Sequence, residues 1–216
     1  MGRKVNANAV RMGLNKTWDS VWYASKTEYA GVLAQDLKVK EIIRKVMGDA
    51  GIDTVSIKRA LNNIDIEVFV ARPGVAIGRG GEGIDALQKE LSRMTKKQVE
   101  VKIREVKKPD ISARIIARTI ADGIERRQPS KLLVASAKEK AMMAGAEGVR
   151  IWVSGRINNA SQARTIKANA GSVPAQTLKA DIDYAEETAK TMDAGLMGVK
   201  VWIYNGDKTS IDSDNI

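Results

Sequence analysis

Six consecutive residues in the first half of the chain have the types and spacing that point most directly to chemistry. They read Gly78-Arg79-Gly80-Gly81-Glu82-Gly83. Residues without side chains let a turn of backbone approach a sugar or phosphate closely, and amide N–H groups at the start of a following helix attract an anion. The segment therefore indicates contact with a phosphate-bearing ligand, to which Arg79 adds a positive charge.

Three interpretations of this glycine segment compete. Gly78, Gly80 and Gly83 match the G-x-G-x-x-G fingerprint of dinucleotide-binding enzymes. In those enzymes the fingerprint follows a strand directly, whereas here Arg72-Pro73-Gly74 stands between the predicted strand and the glycines. A Walker-type loop is excluded because no Gly-Lys-Ser/Thr follows. The second interpretation is the GxxG loop of a KH domain, in which RNA bases lie against an apolar groove beside the turn. The third is a turn that only reverses the chain.

The elements that must position the glycines favour the KH interpretation. Helical spacing of apolar residues over 29–46 is followed by alternating patterns at 55–58 and 64–70. After the glycines come a helical pattern at 84–94 and a third alternating pattern at 99–103. The predicted order is helix, strand, strand, glycine loop, helix, strand, with one buried face on the sheet.

The second half of the chain is predicted to form another, smaller domain. The charged segment Lys107-Lys108-Pro109-Asp110 is the predicted linker. Two helices follow, on either side of Gln128-Pro129-Ser130, and then alternating strand patterns at 149–153, 178–184 and 199–203. No repeat relates the two halves.

The composition excludes several classes of function. The 216 residues include 36 Lys and Arg against 26 Asp and Glu, a net charge of +10 that attracts polyanions. Residues 1–108 hold 21 basic and 13 acidic side chains, a net charge of +8, and residues 109–216 hold 15 and 13, a net charge of +2. His and Cys are absent, which excludes Ser–His–Asp triads, HExxH zinc sites, thiol nucleophiles and disulfides. Without a long apolar run or a secretory signal, we expect an intracellular protein.

Several motifs, in order along the chain, resemble those of the bacterial family of small ribosomal subunit protein three. They are Gly2-Arg3-Lys4-Val5-Asn6, Arg11-Met12-Gly13-Leu14, Ala71-Arg72-Pro73-Gly74 with the glycine loop, Ile124-Glu125-Arg126-Arg127, Val153-Ser154-Gly155-Arg156, Ala163-Arg164-Thr165, Ala180-Asp181-Ile182-Asp183-Tyr184 and Gly198-Val199-Lys200-Val201-Trp202-Ile203. A set of independent motifs in the right order is far more specific than one glycine loop.

The resemblance implies an α/β (α+β) fold with four parts. A basic N-terminal arm, residues 1–25, precedes a type II KH domain at 26–106, with α-β-β-α-α-β order and a three-stranded sheet bearing helices on one face. A smaller α/β domain of two helices and four strands follows at 107–207. A polar tail, 208–216, ends the chain.

The resemblance also implies a function, a location and a set of RNA contacts. The protein would be a structural constituent of the small ribosomal subunit in the cytoplasm, binding ribosomal RNA in the head, lining the channel where mRNA enters, and touching neighbouring head proteins. It would have no catalytic residue, cofactor, metal, membrane or small-molecule substrate. The expected RNA-binding residues are Arg3, Lys4, Arg11, Arg72, Gly78, Arg79, Gly80, Gly81, Arg126, Arg127, Lys131, Arg156 and Arg164. The alternatives are a free-standing KH regulator of RNA and a dinucleotide-dependent enzyme.

Some residues have both a functional and a structural interpretation. Trp18, Trp22 and Tyr23 in the arm could stack on bases or anchor the arm to its own domain. Asp181 and Asp183 could bind a metal, or they could be solvated or paired with Arg. The family's second helix in the second domain is strongly basic, whereas this chain carries Leu132 and Ala135 at aligned positions. The family's aromatic and charged stretch after Ala163-Arg164-Thr165 is likewise replaced, here by Ile166-Lys167-Ala168-Asn169-Ala170-Gly171.

Overall fold

The structure, a computed structural model, describes residues 5–60 and 63–208, and for Arg79 and Glu82 it describes the backbone only. In chain order the elements are α1 (Ala7–Arg11), β1 (Ser20–Val21), α2 (Tyr29–Met47), β2 (Ile52–Arg59), β3 (Asn63–Val70), α3 (Pro73–Ile77), α4 (Glu82–Thr95), β4 (Gln98–Glu105), α5 (Ala113–Glu125), α6 (Ser130–Met143), β5 (Gly148–Gly155), β6 (Arg164–Gly171), β7 (Ala180–Thr191) and β8 (Gly195–Asp207). Among the described residues, no helix combines the length and apolar character that a membrane span requires.

The described residues fall into two compact units. The N-terminal unit comprises residues 18–60 and 63–107, and the C-terminal unit combines residues 5–17 with 108–208. The structure thus divides the predicted arm, because its first part packs with the C-terminal unit and residues 18–25 pack with the N-terminal unit. The predicted polar tail, apart from Lys208, lies outside the described residues.

The N-terminal unit is a sheet covered on one face by helices. β2 and β3 pair antiparallel, β3 and β4 pair parallel, and the register places Ile57, Ile66 and Val101 side by side. Alternation brings every second side chain to the buried face, where α2 and α4 contribute Ile43 and Leu91. Burying such a side chain fully stabilises the fold by about 1.5–3 kcal/mol. The predicted α-β-β-α-α-β order is confirmed.

A fourth strand extends this sheet beyond the predicted three. Ser20 and Val21 form β1, which pairs parallel to β2. The indole of Trp22 then donates a hydrogen bond to Oδ2 of buried Asp36 at 2.6 Å, and Nε of Arg59 donates to Oδ1 of Asp36 at 2.8 Å. Trp22 therefore has the anchoring role that the sequence left as one of two interpretations.

The C-terminal unit is a four-stranded antiparallel sheet in the order β6-β5-β8-β7. α5 and α6 cover one face, where Ile120 and Val134 pack against Ile151 and Val201. The opposite face carries a smaller apolar cluster in which α1 contributes Ala7. Two helices and four strands match the prediction, although the sequence patterns alone located only three of the strands.

Arg11 holds the N-terminal segment within this unit. Its side chain is 0% exposed, and its guanidinium donates hydrogen bonds to the carbonyls of Ala180 at 2.7 Å, Ala7 at 2.9 Å and Thr177 at 2.9 Å. Burial lowers the pKa of Arg11, and the nearby carboxylate of Asp181 opposes that effect. This burial argues against the predicted RNA contact of Arg11, because backbone carbonyls of the same unit engage its guanidinium.

Candidate nucleic-acid interface

The glycine loop connects α3 to α4 in the N-terminal unit. Gly78, Gly80 and Gly81 have φ values of 72°, 63° and 87°, in the left-handed region that side chains rarely adopt. A Cβ added at Gly80 or Gly81 would meet no other atom within 4 Å. Backbone conformation rather than crowding therefore requires glycine at both positions, and the side of the loop where a Cβ would point is open to a ligand.

Gly83 is required for a different reason. A Cβ at this position would lie 3.1 Å from the carbonyl oxygen of Ile77 and 3.4 Å from that of Ala76. The missing side chain lets the first turn of α4 rest on the end of α3, which fixes the shape of the loop. The sequence points to Gly83 only as part of a dinucleotide fingerprint, and it carries no local signal of this positioning role.

The start of α4 is left without a side-chain cap. Gly81 occupies the N-cap position and makes no capping hydrogen bond. The first-turn amides of a helix have no partner within the helix, so they are available to water or to an anion. Beside them, α3 presents Val75 and Ile77 as exposed apolar side chains. A phosphate contact next to an apolar surface is the combination that a backbone-gripping RNA loop needs.

The same geometry argues against the dinucleotide interpretation. In that fingerprint a strand runs directly into the first glycine. Here the five-residue helix Pro73–Ile77 separates β3 from Gly78.

The other predicted residues of the N-terminal part differ in how far the structure describes them. Arg72 is exposed immediately before α3, and its guanidinium donates a hydrogen bond to the carbonyl of Asp49. The backbone of Arg79 lies in the loop, whereas its side chain is outside the described part of the structure. Arg3 and Lys4 also lie outside the described residues.

Five of the predicted RNA-binding residues are exposed in the C-terminal unit. Arg127 and Arg156 line one cleft, together with Lys190, which the sequence analysis did not select. Arg164 begins β6 and pairs in register with Gly155, the residue before Arg156. Arg126 and Lys131 flank the turn between α5 and α6. The structure therefore brings residues 127 and 156 together and places the others on adjoining segments.

The turn that carries Arg127 has the hydrogen bonds of a Schellman motif. The amide of Gln128 donates to the carbonyl of Gly123 at 3.0 Å, and the amide of Arg127 donates to that of Ile124 at 2.9 Å. Arg127 occupies the left-handed position of this motif, with a φ of 60°. Glycine is the usual residue there because a Cβ is strained. The chain thus keeps a long basic side chain at a position where glycine would be more stable.

The two aspartates of β7 serve the fold. Oδ2 of Asp183 accepts a hydrogen bond from the amide of Ala113 at the start of α5, at 2.7 Å, and Oδ1 lies 3.6 Å from Nζ of Lys16. Asp181 forms an ion pair with Lys208 at 3.3 Å. In the part of the chain that is described, no three acidic side chains are grouped as metal ligands would be. The pairing interpretation therefore accounts for both carboxylates.

Comparison with known proteins identifies both units. Residues 38–111 match the family model described as a KH domain, and residues 120–203 match the model described as ribosomal protein S3, C-terminal domain. The small ribosomal subunit protein uS3 of Streptococcus thermophilus (strain CNRZ 1066) is 44% identical over 207 residues, which cover 96% of this chain and 94% of that protein. The uS3 protein of Gluconobacter oxydans (strain 621H) is 46% identical, with 96% and 91% covered.

The chain belongs to the uS3 family. Members of the uS3 family are structural constituents of the small ribosomal subunit, and KH and S3 domains are consistent with binding ribosomal RNA. The predicted family, fold class and ribosomal function are confirmed. The uS3 family is in general a structural rather than an enzymatic one, and membership of it favours a ribosomal constituent over the dinucleotide-dependent enzyme and over the free-standing KH regulator.

Proposed function

We propose that this uS3-family protein binds ribosomal RNA in the head of the small subunit through two surfaces and lines the channel where mRNA enters. The first surface, the loop surface, consists of Arg72, Gly78, Arg79, Gly80 and Gly81. The second, the C-terminal basic surface, consists of Arg126, Arg127, Lys131, Arg156 and Arg164. Arg3 and Lys4 add positive charge from the N-terminal segment. Neighbouring head proteins complete the environment of the chain.

The loop surface is the part of the proposal with the strongest structural support. Three left-handed glycines, one of them at the N-cap of α4 without a capping side chain, present backbone donors at positions that carry no Cβ. An RNA phosphate can reach those amides while its bases lie against Val75 and Ile77 of α3. Contacts of this kind position RNA without reading its sequence, as a structural protein of the ribosome requires.

The role at the mRNA channel is supported by the exposed start of α6. Lys131 is exposed there, and the next residue, Leu132, is 68% exposed although it is apolar. A helix that faces passing RNA needs positive charge, and Lys131 is the side chain that supplies it at this end of α6. Since Leu132 and Ala135 supply none, we propose that this chain grips mRNA at the entrance more weakly than relatives with a fully basic helix.

The loop surface is tested by single Gly→Asp substitutions in the full chain. Gly80→Asp and Gly81→Asp each add a side chain and a negative charge where close approach is proposed. Gly145→Asp is the matched control, because Gly145 also has a left-handed φ, 104°, and open space around it, but lies outside both surfaces. All three variants therefore carry comparable backbone strain and the same change in charge.

We expect Gly80→Asp and Gly81→Asp to weaken binding to a head-domain fragment of small-subunit RNA by roughly tenfold or more, as loss of charge-assisted hydrogen bonds does. Gly145→Asp should bind within about twofold of the unmodified protein, since charge far from a contact is screened. Filter binding at one fixed salt concentration measures all four proteins. Equal affinity of the loop variants and the control would refute the assignment of the loop surface.

A further inference from the structure

A cleft of about 410 Å³ lies within the C-terminal unit. Three segments that are distant in sequence enclose it: the turn after α5, the loop after β5, and the hairpin that joins β7 to β8. Its volume falls in the range of pockets that hold small ligands, about 300–1,000 Å³. The main apolar core of the unit lies between the sheet and α5 and α6, and two of its members, Ile124 and Met197, also line the cleft.

Left-handed backbone is concentrated around this cleft. Among the described residues, four that are not glycine have a left-handed φ: Lys96, Arg127, Asn158 and Asn159. The last three of them line the cleft, with φ values of 60°, 54° and 58°. Asparagine adopts this conformation readily, so the strain rests mainly on Arg127, where glycine would relieve it and where the retained side chain points to an external contact. The two asparagines are consecutive, so one short loop carries two such positions.

Positive side chains come from all three segments around the cleft, and hydrogen bonds fix one of them, Arg156. Nε of Arg156 donates to the carbonyl of Ala160 at 2.8 Å, and its Nη2 donates to Oδ1 of Asn159 at 3.2 Å. These bonds hold the plane of the guanidinium against the left-handed loop. Arg127 and Lys190 supply two further cations from the other two segments. An anion inside the cleft would therefore meet positive charge from all three of its walls.

The acidic side chains of the cleft are engaged with the protein itself. Oε1 of Glu125 accepts a hydrogen bond from the backbone amide of Lys190 at 2.9 Å, which ties α5 to the hairpin. Asp193 pairs with Arg127 at 3.3 Å, and both side chains are mostly exposed. An exposed pair of this kind is weak, so an entering phosphate can compete for the arginine.

The rest of the lining fits a base rather than a bare anion. Ile124 and Met197 are 4% and 3% exposed and form an apolar floor. Gln128 and Asn158 add amide groups, which can donate to and accept from the edge of a base. RNA-binding proteins hold unstacked bases by stacking on aromatic rings or arginine planes and by hydrogen bonds at the base edges. In this cleft the amides serve the edges, and the face of the base meets Ile124 and Met197 instead of an aromatic ring.

We propose that this cleft holds one unstacked nucleotide of single-stranded RNA. Its phosphate lies between Arg127 and Arg156, and its base rests on Ile124 and Met197. This inference rests on the proposed RNA-binding function, but it concerns a site separate from the glycine loop, so each can fail without the other.

The test uses the full chain carrying Gly80→Asp, so that binding at the loop surface is suppressed. A fluorescent six-nucleotide oligouridylate serves as the probe, and anisotropy measures its affinity. Three further substitutions are compared in this background. Arg156→Gln removes a cation from the cleft, Ala194→Trp fills the cleft without changing charge, and Asn158→Gly removes an amide while relieving backbone strain.

Arg150→Gln is the matched control. Arg150 lies on the strand that leads to Arg156, and its loss changes the charge equally, but it does not line the cleft. We expect Arg156→Gln and Ala194→Trp each to weaken binding roughly tenfold, the effect of one lost charge-assisted contact. Asn158→Gly should also bind more weakly while its thermal midpoint does not fall, which excludes misfolding as the cause. Arg150→Gln should stay within about twofold, because it removes only long-range charge.

Three results would overturn the proposal. Normal binding by both Ala194→Trp and Asn158→Gly, with weakened binding by Arg156→Gln, would reduce the cleft to a patch of charge. Equal displacement of the probe by inorganic phosphate and by uridine 5′-monophosphate would show an anion site that does not bind a base. Equal behaviour of all the cleft variants and Arg150→Gln would show that no cleft contact matters. If Gly80→Asp leaves overall RNA affinity unchanged, the loop surface fails while the cleft comparison still stands.

Discussion

Nη2 of Arg127 lies 3.3 Å from Oδ2 of Asp193, so that one ion pair bridges the end of α5 and the β7–β8 hairpin. The two side chains are 76% and 61% exposed. Exposed pairs contribute about 0–1 kcal/mol to stability, which does not account for keeping an arginine in a left-handed conformation. The arginine is therefore expected to matter for a contact outside the protein.

Arg127→Gly should stabilise the fold while it weakens RNA binding. Removing a strained Cβ raises the free energy of unfolding by about 1–2 kcal/mol. Loss of the exposed ion pair lowers it by about 0–1 kcal/mol. We therefore expect a net gain in the free energy of unfolding, of about 1 kcal/mol, measured by urea denaturation. Arg126→Gly is the control, because Arg126 has an ordinary φ of −80° and glycine there should cost about 0.5–1 kcal/mol. Equal destabilisation by the two variants would contradict the role assigned to the left-handed turn.

Arg11→Lys should destabilise the C-terminal unit even though the charge is kept. A lysine has no planar fork and cannot reach the several carbonyls that the guanidinium satisfies. Each buried carbonyl left without a partner costs about 1–3 kcal/mol, so a loss of about 3 kcal/mol in the free energy of unfolding is expected. Arg126→Lys, at an exposed position, should change stability by less than about 0.5 kcal/mol. A small loss in the free energy of unfolding together with weakened RNA binding would instead indicate that Arg11 contacts RNA.

RNA affinity should fall steeply as salt is raised, and Arg3 and Lys4 should contribute to that slope. Each neutralised phosphate on single-stranded RNA adds roughly −0.7 to the slope of log affinity against log salt concentration. Arg3→Gln with Lys4→Gln should therefore flatten the slope by roughly 1–1.5. Arg11, which is buried, is not expected to affect the slope. A total slope shallower than about −2, which corresponds to two or three phosphates, would show that the net charge of +8 in residues 1–108 is mostly uninvolved.

Restoring charge to α6 should speed the passage of structured mRNA. Leu132→Arg with Ala135→Lys adds two positive charges at the start of the helix, where Lys131 is exposed. Ribosomes that contain this variant should traverse a stable mRNA hairpin faster. Met142→Arg with Met143→Lys adds the same charge at the other end of α6 and should leave the rate unchanged. An unaltered rate with the first variant would mean that the missing charges never limit mRNA entrance.

Stability should decline between pH 10 and 12 through Tyr184. Burial, with a hydrogen bond that the hydroxyl donates to Glu186, raises the pKa of Tyr184 from 10.0 to about 12. Because the pKa is higher in the folded state, the stabilisation is complete below pH 10 and is lost as pH rises through 12. Tyr184→Phe should remove this part of the alkaline decline in the free energy of unfolding. Tyr23→Phe, at a side chain that is 96% exposed, is the control, and identical alkaline profiles for both variants would contradict the assignment.

Periodicity located the elements whose apolar residues face one core. Ile64, Ile66 and Val68 alternate strictly, and the strand they predict is present as β3. β6 has no such signal, because its inward positions are Ile166, Ala168 and Ala170, which pair with β5 at the edge of the sheet. β1 is two residues long, which is too short to show an alternating pattern of apolar and polar residues. Both strands exist because a neighbouring strand offers hydrogen bonds, and a single sequence does not show that.

The glycine loop was predictable as a site because its chemistry is local, whereas the cleft and Arg11 were not. Arg127 and Arg156 were selected from family motifs, but their shared cleft depends on the hairpin near residue 193, far along the chain. The sequence does not show that Arg127 is left-handed, since the turn would accept glycine more readily. The burial of Arg11 depends on carbonyls 164–169 residues away.

The bond between Arg11 and Ala180 also sets an order of events during synthesis. The N-terminal segment leaves the ribosome first, yet its partner is made 169 residues later. At translation rates of about 5–20 residues per second, that interval lasts roughly 10–30 s. Residues 18–107 can complete their own sheet during that time, while Arg11 of α1 still lacks the carbonyl of Ala180. Until β7 emerges, α1 of the nascent chain is therefore accessible to RNA or to chaperones.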